Sequence, residues 1–325
     1  MKLLVTGSSG HLGEALVRVL RDRGDEVVGL DVLESPHTSI VGSVADRSVV
    51  RRAVAGVEAI VHAATLHKPH VDSHSRAEFV ETNITGTLNL LEEAIDAGVA
   101  RFVFTSTTSA FGRALSPGPE APAAWVTEEA VPLPRNIYGT SKRAAEDLCE
   151  LTARDHGLPC VILRTSRFFP EADDTDAVRV AYDNLNLKVN ELLHRRVDLE
   201  DVVAAHLLAL ERADELGFAR YIISATTPLR RDQVDLLRRD LPSVVAELFP
   251  EYEEIYRARG WSMFPGVDRV YDNSLAVREL GFAPRYDFGY ALQRLTAGED
   301  PRSPLAREVG AKGYHAETTG VYTTR

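Results

Sequence analysis

The segment Thr6-Gly7-Ser8-Ser9-Gly10-His11-Leu12-Gly13 constrains this chain more than any other. It follows the apolar run Lys2 to Thr6 and opens an apolar-periodic stretch at 12–23. Glycines at spacing GxxGxxG between a strand and a helix let backbone N–H groups at the helix N-terminus approach a pyrophosphate closely. Gly7, Ser9, Gly10, His11, Leu12 and Gly13 are therefore the candidate phosphate-holding residues. Asp31 ends the second β-prone run, where a carboxylate is placed to accept hydrogen bonds from adenosine ribose hydroxyls. Val32-Leu33-Glu34 follow without a Lys or Arg to receive a 2′-phosphate, so the expected cofactor is NAD rather than NADP.

Beyond this turn, β-prone and helical runs alternate. Strand-like 26–31 and 57–62 flank a helical 46–55; a polar helical stretch runs to Ala97, then strand 101–107, helix 138–156 and strand 159–164. This βαβ rhythm predicts a doubly wound parallel sheet. Between Ser109 and Arg135, Pro117, Pro119, Pro122, Pro132 and Pro134 exclude a helix and predict a functional loop. After Arg164 the rhythm breaks into charged helices and short strand-like pieces such as 220–224 and 269–271, which predicts a smaller substrate-binding lobe. The expected division is 1–165 for the nucleotide domain with 199–225 returning to it, 166–198 and 226–297 for the lobe, and 298–325 as a C-terminal tail packed on the surface or partly disordered.

With 325 residues, 44% of them hydrophobic, the chain can bury a large α/β core. Its 37 Lys and Arg against 48 Asp and Glu leave a net charge of -11, which argues against nucleic acid or an anionic membrane as partner. The first residues read as neither a signal peptide nor a membrane span. Cys149 and Cys160, the two cysteines, read as free thiols of a reducing compartment, so a cytoplasmic location is expected.

Tyr138-Gly139-Thr140-Ser141-Lys142 sets a phenol and an ammonium one helical turn apart on one face. A nearby lysine charge is expected to lower the phenol's pKa and suit it to general acid/base work. A third hydroxyl belongs at the carboxyl end of a strand, and Thr105, Ser106, Thr107, Thr108 and Ser109 all qualify. His62, His67, His70 and His74 lie close in sequence, but only Asp72 accompanies them and no Cys, so no metal site is expected.

Together these residues resemble the extended short-chain dehydrogenase/reductase superfamily in its NAD-dependent epimerase/dehydratase branch, over roughly residues 2–295. The resemblance implies a Rossmann domain with a smaller C-terminal substrate-binding lobe, and a catalytic trio of Thr107, Tyr138 and Lys142. Thr107 is reached by counting back from Gly112. It further implies that Asp46 contacts adenine, that His62, Ala63 and Ala64 run along the cofactor with Asn83, and that Tyr138 and Lys142 touch it too. Lys68, Thr108, Arg167, Arg196 and Arg269 are its candidate substrate contacts, the arginines as an anion site if they converge. Two departures stand out: Arg167 occupies the place of a family asparagine, and Pro265-Gly266-Val267-Asp268-Arg269 only approximates an Arg-Pro-Gly-Asp segment. Cofactor and reaction type are thus implied more firmly than a nucleotide-sugar substrate.

The function expected is an NAD-dependent epimerase acting on a sugar, nucleotide-linked, with an NAD-dependent dehydrogenase or reductase of a sugar or other small hydroxy or keto compound as the alternative. A dehydratase would add an acidic residue beside the catalytic hydroxyl, and Thr107-Thr108 supplies none. A cofactor-sensing protein without catalysis would need neither Tyr138 nor Lys142. The resemblance also implies a homodimer built on the helices at 76–97 and 138–156.

Overall fold

The computed structural model describes residues 1–173 and 175–312; the end of the expected tail, 313–325, lies outside the described residues. Its strands are β1 (Lys2–Thr6), β2 (Glu26–Asp31), β3 (Ile40–Val41), β4 (Ala59–His62), β5 (Arg101–Thr107), β6 (Ala124–Val126), β7 (Cys160–Thr165), β8 (Phe218–Ile223) and β9 (Arg269–Tyr271). Seven of them form one sheet in the order β3-β2-β1-β4-β5-β7-β8. The sheet is parallel and flanked by helices, as the alternating runs predicted.

The chain divides into two compact units, the first comprising Met1–Ala110, Pro134–Arg164 and Val203–Tyr221. Leu3, Leu4 and Val5 of β1 are fully buried, as a strand covered on both faces requires. The chain leaves β1 toward β2 and β3 on one side, then resumes from β4 on the other, so the order reverses between β1 and β4. Ligands of open α/β sheets gather at the carboxyl ends of strands at such a reversal. Here those ends are Thr6 and His62, partners in register. Helices His11–Asp22, Arg47–Ala53, Gly86–Ala97 and Ile137–His156 belong to this unit. The stretch read as one long helix up to Ala97 is divided: Arg76–Phe79, a π-helical turn Val80–Thr85, then Gly86–Ala97. Such a turn re-aims side chains at functional places, and Asn83 lies in it.

The second unit comprises Phe111–Leu133, Thr165–Val202 and the chain from Ile222. β6 pairs with β9 in parallel, Trp125 opposite Val270. Its main core gathers Leu193, Leu237, Val245, Tyr256, Phe288 and Leu292. The proline-rich segment is thus an ordered part of this unit from Phe111 onward, with a 3-10 turn Arg113–Leu115 before β6. At the end of the described chain, Pro304–Val309 is a helix capped by the Ser303 hydroxyl, with Leu305 and Val309 buried, so this part of the tail is packed.

Candidate active site

The glycine turn leaves β1 at Gly7, whose φ of +73° is the left-handed region that glycine adopts without steric cost. A Cβ on Gly13 would stand 1.8 Å from the Gly7 carbonyl oxygen, so helix and turn meet backbone to backbone. Gly10 is the N-cap of His11–Asp22 and offers no side-chain cap, which leaves the first-turn N–H groups open to an anion. The side chains of His11 and Leu12 are buried, so what they present to a ligand is backbone. Gly7 itself packs on Ala63 and Ala64, where a Cβ would meet the Ala64 nitrogen at 2.8 Å. These features form a cradle that any side chain would fill, and they fit the pyrophosphate of NAD.

Asp31 ends β2 beside this turn. Its Oδ2 accepts the Ser9 N–H at 2.9 Å and its Oδ1 the Leu33 N–H at 2.9 Å. Each oxygen keeps a further lone pair for a ribose hydroxyl. Asp46 caps Arg47–Ala53, its Oδ1 accepting the Ser48 and Val49 N–H groups; the Ser48 hydroxyl and these N–H groups hold its carboxyl below the usual range.

His62 is 1% exposed and tied at both ring nitrogens, Nδ1 to the Thr6 hydroxyl at 2.7 Å and Nε2 to the Thr87 hydroxyl at 3.0 Å. Burial, and then the Lys142 charge, push its pKa well down, so it is a neutral strut between β1, β4 and the helix Gly86–Ala97. Asn83 is equally engaged: its oxygen accepts the Leu66 N–H at 2.8 Å, and its nitrogen donates to the Leu66 carbonyl at 2.8 Å and to the Ser141 hydroxyl at 2.9 Å. It ties the loop after β4 to the helix that carries Tyr138 and Lys142. Lys68 is exposed on the turn Lys68–Asp72 of that loop. Among the described residues, no group of three or more His, Cys, Asp or Glu is placed to hold a metal ion.

Ile137–His156 starts at Asn136, whose side chain accepts the Gly139 N–H. A Cβ on Gly139 would stand 2.8 Å from the Ser109 carbonyl, so the absent side chain lets the helix start lie against the end of β5. Tyr138 and Thr107 thereby share a hydrogen bond, while Thr107 Oγ1 also accepts the Ser109 N–H at 3.1 Å. Of the five candidate hydroxyls, Thr105 faces His206 at 2.8 Å and Ser106 faces Glu146 at 2.5 Å. Thr108 is buried next to Thr107.

The expected effect of Lys142 on Tyr138 is corrected by the structure. Burial raises the phenol to about 12, partly offset by the Thr107 hydrogen bond. Burial likewise lowers Lys142 to about 7, against the opposing pull of Cys149 and Glu146. The Lys142 Nζ sits 3.9 Å from the Phe104 ring centre, so desolvation rather than mutual attraction sets both groups.

A buried pair beneath the trio escaped the sequence reading. Arg164 at the end of β7 and Glu146 are 2% and 0% exposed, joined at 2.7 Å, and Ser106 donates to the same carboxylate. The signal was present in the spacing, because Tyr138, Lys142 and Glu146 recur every four residues on one helix face.

In the second unit, Arg167 and Arg196 converge, but on a side chain of the protein. Glu191 bonds Arg167 at 3.0 Å, Arg195 at 2.8 Å and Arg196 at 2.9 Å. Burial would raise the Glu191 carboxyl, yet the three guanidinium charges hold it at about 2. Arg269 donates to the Leu115 carbonyl at 3.4 Å and pairs with Asp268. Nothing in the spacing of residue 191 marked it as the hub.

A doubly wound sheet with this turn and a Tyr/Lys/Thr centre defines a nucleotide-dependent oxidoreductase fold. The model of the NAD dependent epimerase/dehydratase family matches residues 3–223, and the chain belongs to that family. It is 36% identical over 186 residues to the low-salt glycan biosynthesis protein Agl12 of Haloferax volcanii, a match covering 52% of this chain and 57% of that one, little over half its length. It is 30% identical over 336 residues to a dTDP-glucose 4,6-dehydratase of Streptomyces antibioticus, covering 90% and 91%. Among solved structures, the UDP-glucose 4-epimerase of Thermotoga maritima shares the fold with a TM-score of 0.63 at 25% identity, over 90% of this chain and 96% of that one.

Proposed function

We propose that this chain inverts a hydroxyl-bearing carbon of a sugar, nucleotide-linked as in the dTDP-glucose and UDP-glucose enzymes named above, with NAD held on the glycine turn. The observation that carries the reading is the Tyr138–Thr107 hydrogen bond at the carboxyl end of β5, with Lys142 one turn along the same helix. NAD, when bound, supplies the acceptor for a hydride and its source on return. Gly7, Ser9, Gly10, His11, Leu12 and Gly13 hold its phosphates, Asp31 its adenosine ribose and Asp46 its adenine side. Ala63 and Ala64 border it by their backbone. His62 and Asn83 are positioning residues, because their polar atoms are engaged within the protein.

Tyr138 takes the proton of the reacting hydroxyl as the C–H bond breaks, and returns it when the carbon is reduced from the other face. Thr107 orients the substrate oxygen and the phenol together. Lys142, one turn along the same helix as Tyr138, is our assigned contact to the bound NAD. Lys68 and Thr108 are our assigned substrate contacts. Arg167, Arg196 and Arg269 remain proposed substrate contacts, although Glu191 already engages the first two.

We assign a homodimer, supported by Val80 and Leu88 at 42% and 37% exposure and Leu151 at 43% on helices of the first unit. The cytoplasm is our assigned location, supported by Cys149 and Cys160, buried and unbridged. Among the described residues no helix is long and apolar enough to cross a membrane. Incubation with nucleotide-sugars and free sugars, followed by product analysis and absorbance of NADH, tests the function. An inverted product with no net NADH supports the epimerase; steady NADH accumulation establishes the dehydrogenase instead, and neither overturns both.

A further inference from the structure

We infer that Thr38 is a positioning residue for the adenosine half of the dinucleotide and a determinant of the preference for a free 2′-hydroxyl. This rests on the reading of the glycine turn as an NAD site. Thr38 Oγ1 is the hub of four hydroxyls: it meets Ser8 Oγ at 2.9 Å, Ser9 Oγ at 2.9 Å and Ser35 Oγ at 3.0 Å. Ser9 Oγ also donates to Ser35 Oγ at 2.9 Å or to the Leu33 carbonyl at 3.1 Å. Ser8 and Ser9 belong to the glycine turn, whereas Leu33, Ser35 and Thr38 belong to the loop between β2 and β3.

The hub therefore clamps that loop onto the turn, and Asp31 sits inside the clamp. The carboxylate is stretched between the Ser9 N–H on one side and the Leu33 N–H on the other. Its direction is set only while turn and loop keep their spacing, and the hydroxyls keep it. Ser8 is fully buried, so its hydroxyl depends on a protein partner, and Thr38 is one. The loop itself carries Glu34 and, from Val32 to Ser39, no Lys or Arg. A 2′-phosphate would meet a fixed carboxylate and no Lys or Arg of the loop itself, Arg21 of the first helix being engaged on the Pro36 carbonyl at 3.3 Å, whereas a 2′-hydroxyl can donate to Asp31.

The test compares ADP-ribose with its 2′-phosphorylated form by titration calorimetry on the 325-residue chain, in wild type, Thr38→Val and Thr38→Ser. Valine keeps the shape and removes the hub oxygen. ADP-ribose is expected to bind Thr38→Val about tenfold more weakly, the scale of one or two lost hydrogen bonds, and Thr38→Ser within about twofold of wild type. Binding of the 2′-phosphorylated form should change by less than about twofold, so that discrimination narrows. A merely structural role would lower thermal stability and leave the ratio of the two affinities where it was. Equal ADP-ribose affinity in wild type and Thr38→Val overturns the inference, as does an unchanged ratio. A wild type that binds no ADP-ribose overturns the NAD reading itself. Should Thr38→Val fail to fold, Ser35→Ala, on the half-buried edge of the cluster, is read by the same ratio.

Discussion

Replacing Gly13 by alanine tests the backbone contact on which the cofactor cradle depends. The new methyl would lie 1.8 Å from the Gly7 oxygen, 2.5 Å from its carbonyl carbon and 2.9 Å from Ser8 Cα. Carbon–oxygen contacts relax only near van der Waals distance, so helix and turn must part by roughly 1.5 Å. Every atom in the way is backbone, and the turn is pinned by the Gly7 N–H on the Leu30 carbonyl at 2.8 Å and the Ser9 N–H on Asp31 at 2.9 Å. The cost should reach about 3 kcal/mol, the upper range for overpacking. Gly10→Ala is the control: its methyl would meet the Gly7 oxygen at 3.3 Å, with φ at an ordinary -76°. It should cost about 1 kcal/mol, the usual scale for an alanine at an N-cap. Urea unfolding with and without NAD measures both. The stabilisation that NAD confers should vanish in Gly13→Ala and weaken in Gly10→Ala, because ligand bound only to the folded state is what raises the midpoint. A Gly13→Ala protein that unfolds at the wild-type midpoint and is stabilised by NAD as before would refute the cradle.

Other consequences follow from the trio and the buried charges. Tyr138→Phe removes the phenol oxygen and should slow turnover on the order of 10²-fold or more with NAD affinity kept, while Thr107→Val should lose less; a wild-type rate in the phenylalanine enzyme would end the mechanism. Burial lowers Lys142 from its ordinary 10.5 to about 7 in the fold, so between those pH values the unfolded chain holds a proton the native one lacks. Wild type should then gain stability over Lys142→Met as pH rises through that window, by up to about 1.4 kcal/mol per unit, and parallel stability curves would contradict it. Glu191→Gln strips three guanidiniums of a buried counter-charge and should cost about 3–5 kcal/mol in denaturant unfolding at pH 7. The Glu191 contribution, with its carboxyl lowered to about 2 from 4.5, is present above pH 4.5 and fades as pH falls toward 2; an acid profile shared by wild type and variant would exclude it.

What the sequence determined by itself was local. The GxxGxxG turn, the carboxylate ending β2, the alternating runs and the Tyr138–Lys142 spacing each act over a few residues, and backbone geometry alone gives such patterns their meaning. They sufficed for the parallel sheet. Only tertiary structure decided which hydroxyl meets Tyr138, because the choice among Thr105, Ser106 and Thr107 depends on His206 and Glu146 claiming the first two from other elements. It decided equally that Arg167 and Arg196 turn toward Glu191, and that Tyr138 and Lys142 are set by burial rather than by each other. Charges and buried hydroxyls choose partners after packing has removed water, and a spacing rule along the chain carries no record of that desolvation.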